Sequence, residues 1–364
     1  MSLNRELVER IAADCGVSAQ TVRNILASRK GAYAERTRQA VAAAAERLGY
    51  RPNPMARMLR EGSSPAVGVL VPHLNDPYYM EVLQHLAFGV EDLGLTLMMG
   101  VLHLKDREET LASYRTFLDW QVRAFIVLHH AQDAVEEKDL GDVIDSSFLM
   151  TINNNRWQHC SAVWQDRQEI ARLAAEHLVG LGHQRIGFLS YEVDNPGHDY
   201  STIRGNARTK RLDEELEKLG TRLDLADVHL VPRPEISATP EHADALGLEY
   251  GRELARTKDR PTALVCWDER LAVRVSLGFL SAGGRVPEDL SILSYNHSAF
   301  AATGALPLTT VGVPPERYAR HTIEILRDGL GARQQGKPFH CHLAVRPEIT
   351  VRETTAPPGS GTME

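Results

Sequence analysis

No stretch of this 364-residue chain reaches the run of about 18 uncharged apolar residues that a membrane-spanning helix requires. No membrane partner is therefore expected. Cysteine is sparse and scattered: Cys15, Cys160, Cys266 and Cys341 form no C-x-x-C pair, so neither a metal site nor a disulfide frame is indicated, and buried thiols are the default. The opening residues MSLNRELVER contain no apolar signal core, which points to the cytoplasm. A P-loop, a G-x-S-x-G elbow, an H-E-x-x-H pair and a Gly-rich dinucleotide fingerprint are all missing. No catalytic residue and no cofactor is assigned, and an enzyme is not expected.

What is present is a chain of ordinary globular composition, 43% hydrophobic and 24% charged, long enough for more than one domain. Its net charge of −7 is unevenly placed. Residues 1–62 hold eleven Lys/Arg against six Asp/Glu, net +5, and the remainder carries −12. A small basic head on an acidic body is the charge layout of a nucleic-acid-binding module joined to a regulatory domain. A solvated basic terminus would show the same asymmetry.

Helical periodicity predicts three helices in the head. Leu7, Val8, Ile11 and Ala12 share one face of a helix ending near Cys15-Gly16. Ser18 is an N-cap candidate for a second helix with Val22, Ile25 and Leu26 inward, and a third begins near Glu35 with Val41, Ala44, Ala45 and Leu48 on its apolar side. Pro52, Pro54 and Gly62-Ser63-Ser64 then interrupt the pattern and mark a boundary. Beyond Pro65 strand-like and helix-like segments alternate, from AVGVLVPHL and PYYMEVLQHLAFGVEDLG through QRIGFLSY, TALVCWD and RLAVRVSLGFLSAGG. The fold class expected is α/β: a helical head joined to two parallel-sheet lobes, with a ligand cleft beyond the carboxyl ends of the strands.

A helix, a glycine turn and a capped second helix have helix-turn-helix spacing, which presents the early residues of the second helix to a DNA major groove. Gln20 and Asn24 can bond adenine edges, and Arg23 can reach guanine or a phosphate. Read alone, SAQTVRNI is equally a polar outer helix face.

The words DCGVSAQTVRNILA and LGYRPNPMARMLREG, followed in order by LAAEHLVGLGHQRIGFLS, GRVPEDLSILSYNHS, LPLTTVGVP and VRPEITVRET, resemble the lactose-repressor/galactose-repressor family of bacterial transcription regulators. The resemblance implies that Ala19, Gln20 and Asn24 read bases, and that Ser18, Thr21 and Thr37 contact phosphates. It further implies a hinge helix carrying Asn53, Ala56 and Leu59, with Leu59 as a minor-groove wedge. The family usually has Ser-Arg where this chain has Arg23-Asn24, which shifts or removes an arginine contact to guanine.

The family's body is similar to a periplasmic sugar-binding protein. Carried across by resemblance, its ligand contacts fall on Asn75, Asp76, Tyr78, Tyr79, His129, Asn153, Gln165, Asp166, Arg204, Trp267 and Asn296. Simpler readings stand beside these: Tyr79 as core, His129 as a strand-end residue, Asp166 as a helix cap. Trp267, Asn296 and Asn153 replace residues that are often amides or acids in the family, so the cleft is expected to tolerate an anion. The expected organisation is a helix-turn-helix domain over 1–49, a hinge helix and linker over 50–64, a two-lobed effector-binding and dimerisation domain over 65–352, and a disordered tail over 353–364. The function implied is a ligand-responsive regulator, a repressor acting as a homodimer on palindromic double-stranded operator DNA, with a sugar or sugar derivative as effector. The tail lacks the leucine heptads of a four-chain assembly. The rival reading is a solute-binding protein without regulatory DNA binding, to which the basic head is foreign.

Overall fold

Gly16 sits in the left-handed region at φ 64°, where only glycine turns without strain, and it separates helix α1 (Ser2–Cys15) from α2 (Ala19–Leu26). Ser18 Oγ accepts the Thr21 backbone N–H at 3.0 Å, so the expected cap starts α2. Helix α3 (Glu35–Arg47) closes over both, burying Val41, Ala44 and Ala45 against Val8, Ile11, Ala12 and Val22. Tyr50, assigned to the hinge on sequence, packs partly buried on this head core, and its N–H bonds Ala45 C=O at 2.8 Å. The computed structural model describes residues 2–26, 33–50, 63–71, 74–102, 107–128, 135–153, 155–191, 207–231 and 240–359. Asn53, Ala56, Leu59, His129 and Arg204 lie outside these.

The body holds two six-stranded sheets. Lobe 1 contains β1 (Ala66–Val71), β2 (Thr96–Val101), β3 (Ala124–Leu128), β4 (Phe148–Ile152), β5 (Ser161–Gln165) and, from far along the chain, β11 (His342–Val345). The order is β11-β5-β4-β3-β1-β2, with every pairing parallel. Lobe 2 contains β6 (Ile186–Tyr191), β7 (Val228–Val231), β8 (Ala263–Cys266), β9 (Ser291–Tyr295), β10 (Thr309–Gly312) and the antiparallel β12 (Glu348–Thr350), ordered β12-β10-β9-β8-β6-β7.

Helices cover both faces of each sheet, as unbroken apolar strands such as AVGVLV require. In lobe 1, α4 (Pro77–Asp92) lies on one face and α5 (Arg107–Asp119) on the other. In lobe 2, α6 (Arg167–Gly180) packs with α7 (Ala207–Lys218), and α8 (Pro240–Arg256) with α9 (Glu269–Ser281). The α8/α9 approach needs glycine: a Cβ on Gly278 would stand 2.0 Å from Leu248 O, and one on Gly251 2.2 Å from Val275 O. The long helix α10 (Pro315–Gln334) returns to lobe 1 and packs on α4. The chain thus crosses between lobes three times, after β5, after β10 and between β11 and β12.

The tail expected to be disordered is packed as far as residue 359. Thr354 is fully buried; its Oγ1 donates to Ile292 C=O at 2.6 Å and accepts the Thr309 N–H at 2.8 Å. His183 Nε2 lies 3.0 Å from Ala356 O, fastening the segment from the other side. A polar, Pro-rich composition hid a segment whose backbone completes lobe 2. Thr354→Val keeps the shape and leaves two buried backbone groups unpaired, so urea unfolding should show a loss of about 2 kcal/mol or more.

Candidate effector cleft and nucleic-acid interface

On the head, Gln20 and Arg23 of α2 are exposed, while Ala19 is half-buried against the head core. Gln20 Nε2 donates to Asn24 Oδ1 at 3.0 Å, and Asn24 Nδ2 donates to the Tyr33 hydroxyl at 2.9 Å. A short polar chain therefore fixes the side chains expected to read bases. Tyr33, which no sequence motif singled out, anchors that chain from the α2–α3 connection. Ser18 Oγ and Thr21 Oγ1 lie 2.9 Å apart at the start of α2, where backbone N–H groups favour a phosphate. Thr37 stands in the first turn of α3 with its N–H bonded to Ala34 C=O.

In the body, strand ends deliver three aspartates that each cap a following helix. Asp76 accepts the N–H groups of Tyr78 (2.9 Å) and Tyr79 (3.3 Å) at α4. Asp166 accepts those of Gln168 and Glu169, both at 3.1 Å, at α6, and Asp268 accepts that of Leu271 at 2.9 Å at α9. The cap reading of Asp166 accounts for its carboxylate. Burial, then the facing Asp268 charge, pushes the Asp76 carboxyl up to about 7. Glu269, 2% exposed and accepting the Ser298 N–H and Oγ–H, is pushed up to about 8 by burial.

The lobes meet through polar contacts. Tyr78 OH donates to Val313 C=O at 2.9 Å, Arg270 to Asn75 C=O at 3.3 Å, and the Ala299 N–H to Glu81 Oε2 at 2.8 Å. Tyr78 is fully buried in the lobe 1 core with its hydroxyl held by Val313, so the expectation that it contacts ligand is corrected: it is a packing residue. Gln165 is 4% exposed and its Oε1 accepts the Val313 N–H at 3.3 Å.

Between the lobes lies a small pocket of about 20 Å³ lined by Asn153, Gln165, Arg167, Arg208, Tyr295 and Asn296, with Ile170. Asn153 (φ 62°) and Asn296 (φ 76°) take left-handed conformations that asparagine tolerates better than other side chains, and these turn both amides at strand ends. Asn153 Nδ2 donates to the Tyr79 hydroxyl at 2.6 Å. Arg167 donates to Asn153 C=O at 2.6 Å. Arg208 lies over the Trp267 ring, 3.8 Å from its centroid, and donates to Trp267 C=O at 2.8 Å. Burial, and then the Arg167 charge, lowers the Arg208 guanidinium to about 10.

Arg208 lines this cleft, and Arg204, which the resemblance implies, lies outside the described residues. No sequence motif assigns Arg167 or Arg208 to the cleft; their register against Trp267 and Asn153 is a tertiary fact. A larger groove of about 740 Å³, lined by Ser63, Gln121, Arg123, Ser147 and Arg333 among others, opens at the amino ends of the lobe 1 strands. The carboxyl ends are where parallel sheets place ligands, which favours the smaller, inter-lobe pocket.

The raised carboxyls have a sign. A folded-state pKa above the ordinary carboxylate value contributes stability that is complete below that value and is lost as pH rises through the folded pKa. For Asp76 the loss runs from the ordinary value of 3.8 up to about 7, where it is nearly complete. Melting temperature should fall from about pH 4 to 7 and level off above, the fall being less steep in Asp76→Asn, which keeps a capping oxygen; equal slopes would contradict the assignment.

Residues 175–355 match the family described as Periplasmic binding protein-like domain. HTH-type transcriptional repressor PurR of Photobacterium profundum is 26% identical over 356 residues, spanning 95% of this chain and 98% of that relative. A LacI family transcriptional regulator from Mycobacterium smegmatis, known from its crystal structure, superposes with a TM-score of 0.62 at 26% identity, over 80% of this chain and 99% of that one. The Lac repressor dimer bound to operator and the anti-inducer ONPF has the same fold, with a TM-score of 0.73 at 19% identity over 95% and 98%. Likeness that extends end to end, head included, separates this chain from solute-binding proteins sharing only the lobes: it resembles the LacI family of transcriptional regulators, and its relatives are repressors, not enzymes.

Proposed function

We propose that this regulator is a cytoplasmic repressor that binds a palindromic operator as a homodimer and responds to a small effector held in the inter-lobe pocket. The observation that carries the reading is the pocket itself: polar groups of both lobes converge at strand carboxyl ends, bridged by few contacts that closure makes and opening breaks. The repressor name of the Photobacterium relative supports the sense of the response, and the operator-bound Lac repressor dimer supports the assembly.

Exposed apolar side chains favour self-association. The lobe 1 edge strand β2 presents Met99 and Val101, Phe88 stands on neighbouring α4, and α9 exposes Leu277 and Leu280. One three-helix head offers too little surface for tight specific binding, so two heads on two half-sites are required.

Two outcomes are expected at the head. Operator affinity should fall steeply with salt, and Gln20→Ala should cost about 1–3 kcal/mol and relax the preference at one base pair per half-site, read by fluorescence anisotropy on duplexes selected from a random pool. The regulatory reading is tested without any ligand. Removing two inter-lobe ties in Glu81→Ala/Arg270→Ala should open the lobes in small-angle scattering and change operator affinity about fivefold or more, within the usual span of allosteric coupling. Open lobes with unchanged DNA affinity would refute it.

A further inference from the structure

We propose that Asn24 reads no base of its own and acts instead as a strut, through which the Tyr33 hydroxyl sets the Gln20 amide in the attitude that one adenine requires. The inference rests on the reading of the head as a DNA-binding module and adds which side chain carries its sequence preference.

Hydrogen bonding is the first observation. Gln20 Nε2 donates to Asn24 Oδ1 at 3.0 Å, and Asn24 Nδ2 donates to the Tyr33 hydroxyl at 2.9 Å. An asparagine that pairs with adenine must commit both amide atoms to it, Oδ1 accepting from N6 and Nδ2 donating to N7. Both Asn24 atoms already hold protein partners. Gln20 differs. Its Oε1 and second N–H enter no other side-chain hydrogen bond among the described residues, and these are the acceptor and donor that adenine pairs with.

Placement is the second. Gln20 is the second residue of the eight-residue α2 and is exposed, whereas Asn24 is the sixth and is half-buried. A recognition helix meets base edges with its early residues, so Gln20 leads and Asn24 stands back. Tyr33 precedes α3 by two residues, and α3 is fixed in the head core through Val41, Ala44 and Ala45. The tyrosine hydroxyl is thereby anchored to buried structure, and Asn24 passes that anchorage to an exposed amide.

The energetics favour discrimination over stability. A hydrogen bond between polar side chains one helical turn apart adds little to a helix. Its larger effect is on conformational freedom. An untethered glutamine samples many rotamers and loses them on pairing with a base, whereas a held amide has lost part of that freedom beforehand. Tyr33 is therefore a positioning residue for base reading, acting through Asn24 on Gln20.

The test uses the full chain and a duplex that it enriches from a random pool, with every single-base substitution in one half-site, read by fluorescence anisotropy. Gln20→Ala should flatten the preference at one base pair about fivefold or more. Tyr33→Phe keeps the ring and removes only the hydroxyl. It should flatten the preference at that same base pair about threefold or more, leaving melting temperature, salt dependence and affinity for unrelated duplex unchanged. Asn24→Ala should do likewise, and Gln20→Ala/Tyr33→Phe should lose no more discrimination than Gln20→Ala alone, because residues that act as one unit are not additive. A second base pair relaxed by Asn24→Ala alone would make Asn24 a reader and overturn the proposal. So would an unaltered preference in Tyr33→Phe, or an equal loss on all duplexes together with a lowered melting temperature. Failure of the parent chain to enrich any sequence would refute DNA reading by the head as well, whereas the preceding outcomes refute the strut alone.

Discussion

Each lobe of this protein is organised around one requirement: a helix that starts at the carboxyl end of a parallel strand exposes unpaired N–H groups, and something must accept them. Asp76 after β1, Asp166 after β5 and Asp268 after β8 meet that requirement. None of the three lines the inter-lobe pocket, whose charged lining among the described residues is Arg167 and Arg208. Capping commits the negative charges to backbone N–H groups. The positive charges of Arg167 and Arg208, one residue into α6 and two into α7, are left to dominate the space between.

Much of this was legible in the chain. The head helices follow from apolar spacing, Ser18 from its cap chemistry, and the two sheets from apolar runs alternating with amphipathic ones. Asp166 was readable as a cap because it precedes a helical run. The rest depends on contacts between distant segments. Nothing in HLAV distinguishes a strand that rejoins β5 in lobe 1 from one that stays with lobe 2. Tyr78 and Tyr79 are adjacent, yet one turns into the lobe 1 core and reaches Val313 while the other reaches Asn153, a division set by α4's rotation on the sheet. Periodicity cannot say that Arg208 is the residue that meets Trp267.

The head and the body divide the work by charge. A head of net +5 is drawn to phosphates, and a body of −12 is not, which favours orientations that put the helix-turn-helix face on the duplex. Within the head, the chain Gln20 to Asn24 to Tyr33 ties the polar side chains of α2 to the loop before α3. Arg47 and Asp14, 2.8 Å apart, tie α3 back to α1.

The three passages of chain between the lobes are themselves joined. Gln165 accepts the Val313 N–H, and the Asp166 N–H bonds Val345 C=O, so first, second and third passages form one laced ribbon. A single thread would let the lobes swivel freely. A ribbon of three bends readily about its flat width and resists both twist and sideways shear, as a leaf spring does. The lobes are therefore coupled as a jaw, with bending about the laced ribbon as the easy motion between them.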